Sequence, residues 1–421
     1  MIVPSIDLMG GRTVQLVGGN ELALEAGEPL QHLERFARVG EVAVIDIDAA
    51  RGEDTNAALI EPLCAAHPIR VGGGIRDERA AYRWLDAGAR KIIIGTAATP
   101  AFLARLPRER LIVALDAEHG EVVVDGWRTR TGARVTDRMR ELRDHCSGFL
   151  VTFVEREGRL GGTDIGRVAE LVDAAGPARV TIAGGVTSAA EVASLDALGA
   201  DAQVGMALYT GRMSLAEAFL APTRPDREDG LIPTVVADES GVALGLVYSS
   251  RESVARSLDS GRGVYCSRRR GLWEKGATSG AVQELVRIEL DCDRDALRFT
   301  VRQRGAGFCH RATASCWGGP QGLAALEARI ARATCAADPQ GYTQRLLSDA
   351  ALLEAKLLEE AHELASARGA VAVAHEAADL LYFTAVALAR AEVPLQAAID
   401  ELERRARRVT RRAGDAKAVR A

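Results

Sequence analysis

The sequence predicts a multidomain protein: a (β/α)8 TIM barrel, then a small α+β metal-binding domain, then an all-α helical domain. Three observations predict it. Eight short apolar runs, each followed by an amphipathic stretch, fill residues 1–221. A compact Cys- and Asp-rich segment, 229–317, lies between the Pro-bearing linker Ala221–Gly230 and the Gly-rich run Gly318–Gly322. From Leu323 the chain is almost free of glycine and helical in period, which assigns 322–421 to helices.

Composition narrows the function classes. Lys and Arg number 53 against 58 Asp and Glu, a net charge of −5, so no whole-protein basic surface for nucleic acid is expected. We read no window of 18 apolar residues, and therefore expect no membrane span. The opening MIVPSIDLMGG has no basic region before an apolar one, so no secretory signal is expected. Seven scattered cysteines predict reduced thiols in a cytoplasmic protein, some available to a metal.

The eight predicted barrel strands are Ile2–Asp7, Val42–Asp46, Ile69–Ile75, Lys91–Thr96, Leu111–Asp116, Phe149–Val154, Val180–Val186 and Gln203–Leu208. An internal repeat supports them: Gly73-Gly74 followed by Gly95-Thr96 is echoed by Gly184-Gly185 followed by Gly205. Glycines where a strand meets a helix N-terminus let backbone N–H groups approach a phosphate. Two such sites in opposite halves suit a ligand with a phosphate at each end. Asp7 and Asp116 close equivalent strands and point into one mouth, an arrangement that allows one acid to give a proton while the other removes one.

The phrases SIDL, VGGGIRD, IIGTAA, ALDA and AGGV resemble the ProFAR isomerase family of histidine biosynthesis. That resemblance implies an Amadori rearrangement of a two-phosphate substrate, with Asp7 as base, Asp116 as acid and Thr152 as the polar group beside them. Gln15 and Met206 stand where the family usually carries basic residues. A second reading therefore keeps the barrel as a non-catalytic phosphoribosyl-binding or scaffold module.

In the second segment, Cys292, Cys309 and Cys316 offer soft thiolates suited to Zn²⁺, and three ligands leave a position for water. Asp291, Asp293 and Asp295, read as one face of a strand, suit Mg²⁺ beside a phosphorylated substrate. A structural zinc clip completed by His310, or plain core cysteines, are the alternatives. Gly230-Leu-Ile-Pro233, Tyr248, Ser267 through Trp273 and Lys275 through Gly280 resemble the phosphoribosyl-AMP cyclohydrolase family, in the wording of the fungal trifunctional histidine-biosynthesis proteins. The resemblance implies Cys292, Cys309 and Cys316 as zinc ligands and opening of an adenine ring. The arginine run 268–270 could bind nucleic acid, but an isolated run is read as a solvated face or a phosphate clamp, with Arg268 as the phosphate-binding residue. It also implies a homodimer through the cyclohydrolase and helical segments. No segment is expected to correspond to the histidinol dehydrogenase of those fungal proteins.

In the third segment, Glu360 with Glu363, and Glu376 with Asp379, are carboxylate pairs three residues apart, each on one helix face. If the helices pack antiparallel, four acids converge and require cations, which predicts Mg²⁺ and pyrophosphate chemistry. Glu359, slightly turned away, is expected to orient water. The alternative is a solvated acidic face. Gly341-Tyr-Thr343, Lys356 through Glu363 and Glu376 through Tyr382 resemble phosphoribosyl-ATP pyrophosphohydrolase, whose Mg²⁺ ions bind a triphosphate, with Gly341 where the family usually has Ser. The basic run from Arg404 to Ala421 is expected to be a frayed helix end. Three consecutive histidine-biosynthesis steps in one chain, acting on phosphoribosyl nucleotides, is the reading that unites the segments. A general nucleotide-cleaning hydrolase needs only the helical acids and leaves the cysteines unexplained.

Overall fold

A computed structural model describes residues 1–124, 126–269, 271–335 and 341–410. They form two compact units. The first joins residues 1–237 with 246–304 and 406–410; the second joins 238–245 with 305–405.

Eight parallel strands close a barrel in the first unit: Ile2–Met9, Val42–Asp46, Ile69–Gly72, Lys91–Ile94, Leu111–Glu118, Gly148–Phe153, Arg179–Ala183 and Ala200–Val204. The last pairs back to the first through Ile2 with Ala202. Seven of the eight lie where the hydrophobic pattern placed them. The eighth lies earlier than the predicted Gln203–Leu208, because Gly205 breaks the strand and Met206–Tyr209 is a short helix. Ile93, Ile112 and Leu150 fill the barrel interior as side chains from neighbouring strands, so the barrel is a packed core and not a pore.

Two antiparallel arms were not foreseen. Arg12–Val17 and Glu21–Gly27 follow the first strand, and Glu121–Val124 and Thr129–Arg134 follow the fifth. They occupy equivalent places in the two halves, as the sequence repeat does. Gly73 and Gly184 show why that repeat is glycine. Their φ angles are +99° and +86°, and a Cβ would fall 2.1 Å from the Asp46 carbonyl and 2.5 Å from the Phe153 carbonyl. No other residue fits there.

The rest of the first unit includes the strands Ile232–Ala237, Gln283–Leu290 and Leu297–Gln303 and the helix Arg251–Ser260. Asp291–Asp295 is not the predicted strand face. It is the turn between the last two of those strands, made possible by Arg294 at φ +71°.

The second unit is led by the helices Gly322–Cys335, Tyr342–Ser348, Ala350–Ser366 and Ala370–Arg390. Their core is Ile330, Leu346, Leu353, Phe383, Ala385 and Val386. Ala370–Arg390 corrects one expectation: its 21 residues and mean hydropathy of 1.4 are long and apolar enough to cross a membrane. Alanines raise the average there although His375, Glu376 and Asp379 interrupt the run. Only 17% of that stretch is buried within the chain, and Val371, Val373 and Leu381 are exposed. The basic helix ends at Arg407, and residues 411–421 of the expected frayed end lie outside the described residues.

Candidate active sites

One cavity of about 1120 Å³ opens at the C-terminal ends of the barrel strands, and all ten barrel residues singled out from sequence line it: Asp7, Asp116, Thr152, Gly73, Gly74, Gly95, Thr96, Gly184, Gly185 and Gly205. The two glycine sets lie in opposite halves, as the repeat requires. Helix N-termini follow both glycine pairs. Asp77 caps Glu78–Ala87, and Ser188 with Glu191 forms a capping box on Ala189–Ala197.

The acids sit on paired or facing strands. Asp116 and Thr152 are register partners. Burial pushes the Asp116 carboxyl up, against hydrogen bonds from the side chains of Trp127 and Thr152 that favour its charged form. Burial likewise raises Asp7 to about 6, opposed by the Ser5 hydroxyl, which donates to it at 2.9 Å.

A third acid was missed from the sequence. Glu157, on the loop after the sixth strand, lines the same cavity. Burial first, then the charges of Asp7 and Asp116, raise it to about 8. Asp7 and Asp116 lie at strand ends, whereas Glu157 lies four residues past the end of its strand. The paired acids Glu155 and Glu157 beside Gly158 were the available signal. Gln15 also lines the cavity, buried against Gly205 with its amide donating to the Val14 carbonyl at 2.8 Å. Arg51, Arg76, Arg128 and Arg138 provide positive charge around the same mouth.

Arg268 lies away from this cavity. It and Arg227 both stack on the Tyr248 ring, at 4.9 and 4.8 Å. Asp291, Asp293 and Asp295 gather despite leaving the strand, with one oxygen from each within 4.8 Å of the others. Asp291 organises the turn by accepting from the backbone N–H groups of Asp295 and Ala296, each at 3.1 Å. Burial and the neighbouring Asp293 charge raise Asp295. Against its burial, backbone and side-chain hydrogen bonds lower Asp291, so the cluster pairs a carboxylate held charged with a neighbour pushed up. Three carboxylates this close are a donor set suited to a hard divalent cation.

Cys292 belongs to the first unit, Cys309 and Cys316 to the second. The Cys309 thiol is lowered, first by the Arg311 backbone N–H, then by the Thr313 hydroxyl, with a further contribution from Cys316. That favours the thiolate a zinc ion needs. His310 Nδ1 lies 3.9 Å from the Cys309 sulfur. Cys64 and Cys146 are buried, their thiols pushed up to about 12 and about 11, and serve as core.

In the helical unit the two carboxylate pairs meet through Glu376, with Asp379 in a second group rather than in one cluster of four. Glu360, Glu363 and Glu376 lie within 4.8 Å of one another, and so do His375, Glu376 and Asp379. The three-residue connection 367–369 makes the two helices antiparallel neighbours. Burial and then the charges of Glu376 and Glu360 raise Glu363. Lys356 sits 2.8 Å from Glu360 and 2.9 Å from Glu359. Glu359 is exposed and tied to that lysine, outside the cluster. The arrangement fits divalent cations, with Lys356 as the internal positive charge. His375 was not foreseen.

Comparison with known proteins follows the same three segments. Residues 1–214 match the family described as histidine biosynthesis protein, 245–318 match phosphoribosyl-AMP cyclohydrolase, and 323–406 match phosphoribosyl-ATP pyrophosphohydrolase. A histidine biosynthesis bifunctional protein of Schizosaccharomyces pombe is 51% identical over 206 residues, 49% of each chain. A histidine biosynthesis trifunctional protein of Saccharomyces cerevisiae is 47% identical over 205 residues, 48% of this chain and 26% of that one. The chain thus spans about half or less of the length of these fungal relatives. An imidazole-4-carboxamide isomerase of Methanocorpusculum labreanum is 36% identical over 233 residues, 52% of this chain and 98% of that one. The chain belongs to the histidine biosynthesis protein family, with its cyclohydrolase-family and pyrophosphohydrolase-family segments following in order.

Proposed function

We propose that the chain catalyses three steps on phosphoribosyl nucleotides: release of pyrophosphate from phosphoribosyl-ATP, opening of the adenine ring of phosphoribosyl-AMP, and isomerisation of the resulting ProFAR. The observation that carries the third step is the acid set in the barrel cavity. Near neutral pH, Asp7 at about 6 is largely ionised and Glu157 at about 8 keeps its proton. The cavity therefore holds a base and a proton donor together, which ring opening of an aminoaldose and proton removal from its C2 both require. Asp116, held by Trp127 and Thr152, is the acid the family resemblance implies, and Glu157 stands beside it as a second donor. The glycine loops in opposite halves would bind the two phosphates, with Arg51 and Arg76 adding charge.

For ring opening, Cys292, Cys309 and Cys316 would hold zinc, which when bound supplies a water of pKa near ~7. Asp291, Asp293 and Asp295 would hold Mg²⁺. For pyrophosphate release, Glu360, Glu363, Glu376 and Asp379 would hold Mg²⁺ against the triphosphate. The exposed apolar residues of Ala370–Arg390 are consistent with a second copy of the chain packing there, and a cytoplasmic location with free thiols.

The test is direct. Purified protein should convert ProFAR, and Asp7→Asn or Asp116→Asn should slow it by about 10²–10⁴-fold. Substrate binding should survive, because loop N–H groups and not the acids hold the phosphates. The scaffold reading draws on Gln15 and Met206, the neutral residues near the second glycine set. It gives no isomerisation in the unmutated protein.

A further inference from the structure

We propose that the barrel's N-terminal pole fixes the conformation of the acidic Asp291–Asp295 loop through a latch between Asp196 and Arg294, making Arg294 a positioning residue for ring opening. The inference rests on the cyclohydrolase reading of that segment.

The loop holds a backbone conformation that its sequence does not favour. Arg294 is not glycine, yet its φ is +71°. A side chain in the left-handed region is costly, and such conformations persist where surrounding contacts enforce them. Three contacts do so here. The Arg294 carbonyl accepts from the Arg224 backbone N–H at 2.8 Å. One guanidinium nitrogen turns back to the Asp291 carbonyl at 3.1 Å, closing the loop on itself. The other two donate to the Asp196 carboxylate at 3.1 and 3.4 Å.

Asp196 is the fixed side of this pair. It lies at the end of the barrel helix Ala189–Ala197 and its side chain is 6% exposed. The neighbouring Asp201, at the start of the eighth strand, is held by Arg179 at 2.7 and 3.0 Å. The Met1 amine lies 3.0 Å from both aspartates. Arg294 thus docks into a preformed charge cluster, and the loop takes the shape that docking allows. Asp293 and Asp295 flank Arg294 directly and Cys292 lies two residues before it, so the proposed ligands move with it.

A separate contact sets the orientation of the surrounding segment. Arg38 donates to the Leu258 carbonyl at 2.6 Å, satisfying an end carbonyl of the helix Arg251–Ser260, and Arg35 pairs with Asp259 at 2.9 Å. With the segment held there, loss of the latch should free the loop alone. The barrel's own acids lie at the opposite ends of the strands and should be unaffected.

The experiment uses the full chain with Asp196→Asn, Arg294→Gly and Arg294→Lys. Glycine accepts the φ of +71° but cannot reach Asp196; lysine keeps the charge. Two readouts are taken: hydrogen exchange of the Asp295 and Ala296 amides, and the Mg²⁺ concentration that half-activates ring opening. Asp196→Asn and Arg294→Gly should each speed that exchange and raise the Mg²⁺ requirement by about 10–100-fold, the usual cost of losing a group that orients a ligand. Arg294→Lys should recover part of both, and isomerisation and pyrophosphate release should stay at the unmutated level. Unchanged exchange in Asp196→Asn overturns the latch, as does a loss of isomerisation in step with ring opening. If the unmutated protein opens no ring, the cyclohydrolase reading fails and the positioning role fails with it. Faster amide exchange in Asp196→Asn would then show only the structural contact.

Discussion

Burial raises all three acids in the barrel mouth, and the differences between them are the basis of the proposed chemistry. For Asp7, deprotonation through about 6 should raise isomerase kcat/KM; for Glu157, loss of its proton through about 8 should lower it. The profile should be bell-shaped between those values, and Glu157→Gln should remove the alkaline limb. Stability follows the same signs. Both groups are raised above their ordinary values of 3.8 and 4.5, so the stability they contribute is complete below those values and is lost as pH rises through 6 and 8. Glu157→Gln should therefore raise Tm more at pH 9 than at pH 5, as thermal melts would show. An equal change at both pH values would mean that Glu157 is not held protonated. Asp7 and Asp116 were legible in the sequence because they end apolar runs. Glu157 was not, because a loop residue's approach to two distant strands leaves no periodic trace.

At the scale of elements, spacing was readable wherever one helix or strand carries the pattern. Glu360 with Glu363 and Glu376 with Asp379 face one another as their three-residue steps imply, since a helix fixes side-chain direction by chemistry common to all sequences. Period-two alternation misled at Asp291, Asp293 and Asp295. It assumed a strand, whereas the turn forms through the left-handed Arg294 and the Asp291 side chain, and the acids converge by a different route. The antiparallel arms escaped notice because Glu21–Gly27 and Thr129–Arg134 are largely exposed and carry little apolar alternation. The two proposed metal sites should fail separately. Glu360→Lys places a cation among the remaining carboxylates and should stop pyrophosphate release while phosphoribosyl-AMP is still converted. Cys309→Ala should give the reverse, abolishing ring opening and lowering bound zinc by metal analysis while pyrophosphate release persists. Loss of both activities in either variant would contradict separate sites.

For the whole molecule, the sequence divided the chain by texture into three segments, and the family matches follow the same order. Compactness divides it differently: the barrel and much of the cyclohydrolase-like segment form one unit, tied by Arg294 to Asp196 and Arg38 to Leu258. Composition breaks mark where the chain changes character, but contacts between residues nearly 100 or more than 200 positions apart leave no local signal. The helix Ala370–Arg390 shows the same limit. Its length and apolar character were not read from sequence, several of its apolar residues face outward, and analytical ultracentrifugation should show a homodimer if a second copy covers them. The central claim is that one chain performs three consecutive steps. Purified protein supplied with phosphoribosyl-ATP, Mg²⁺ and Zn²⁺ tests it, with the end product identified by mass and by chromatography against both isomers. The account predicts pyrophosphate and the isomerised product, with ProFAR passing through only transiently. Accumulation of ProFAR to the full amount of substrate would contradict it and leave the barrel a binding module.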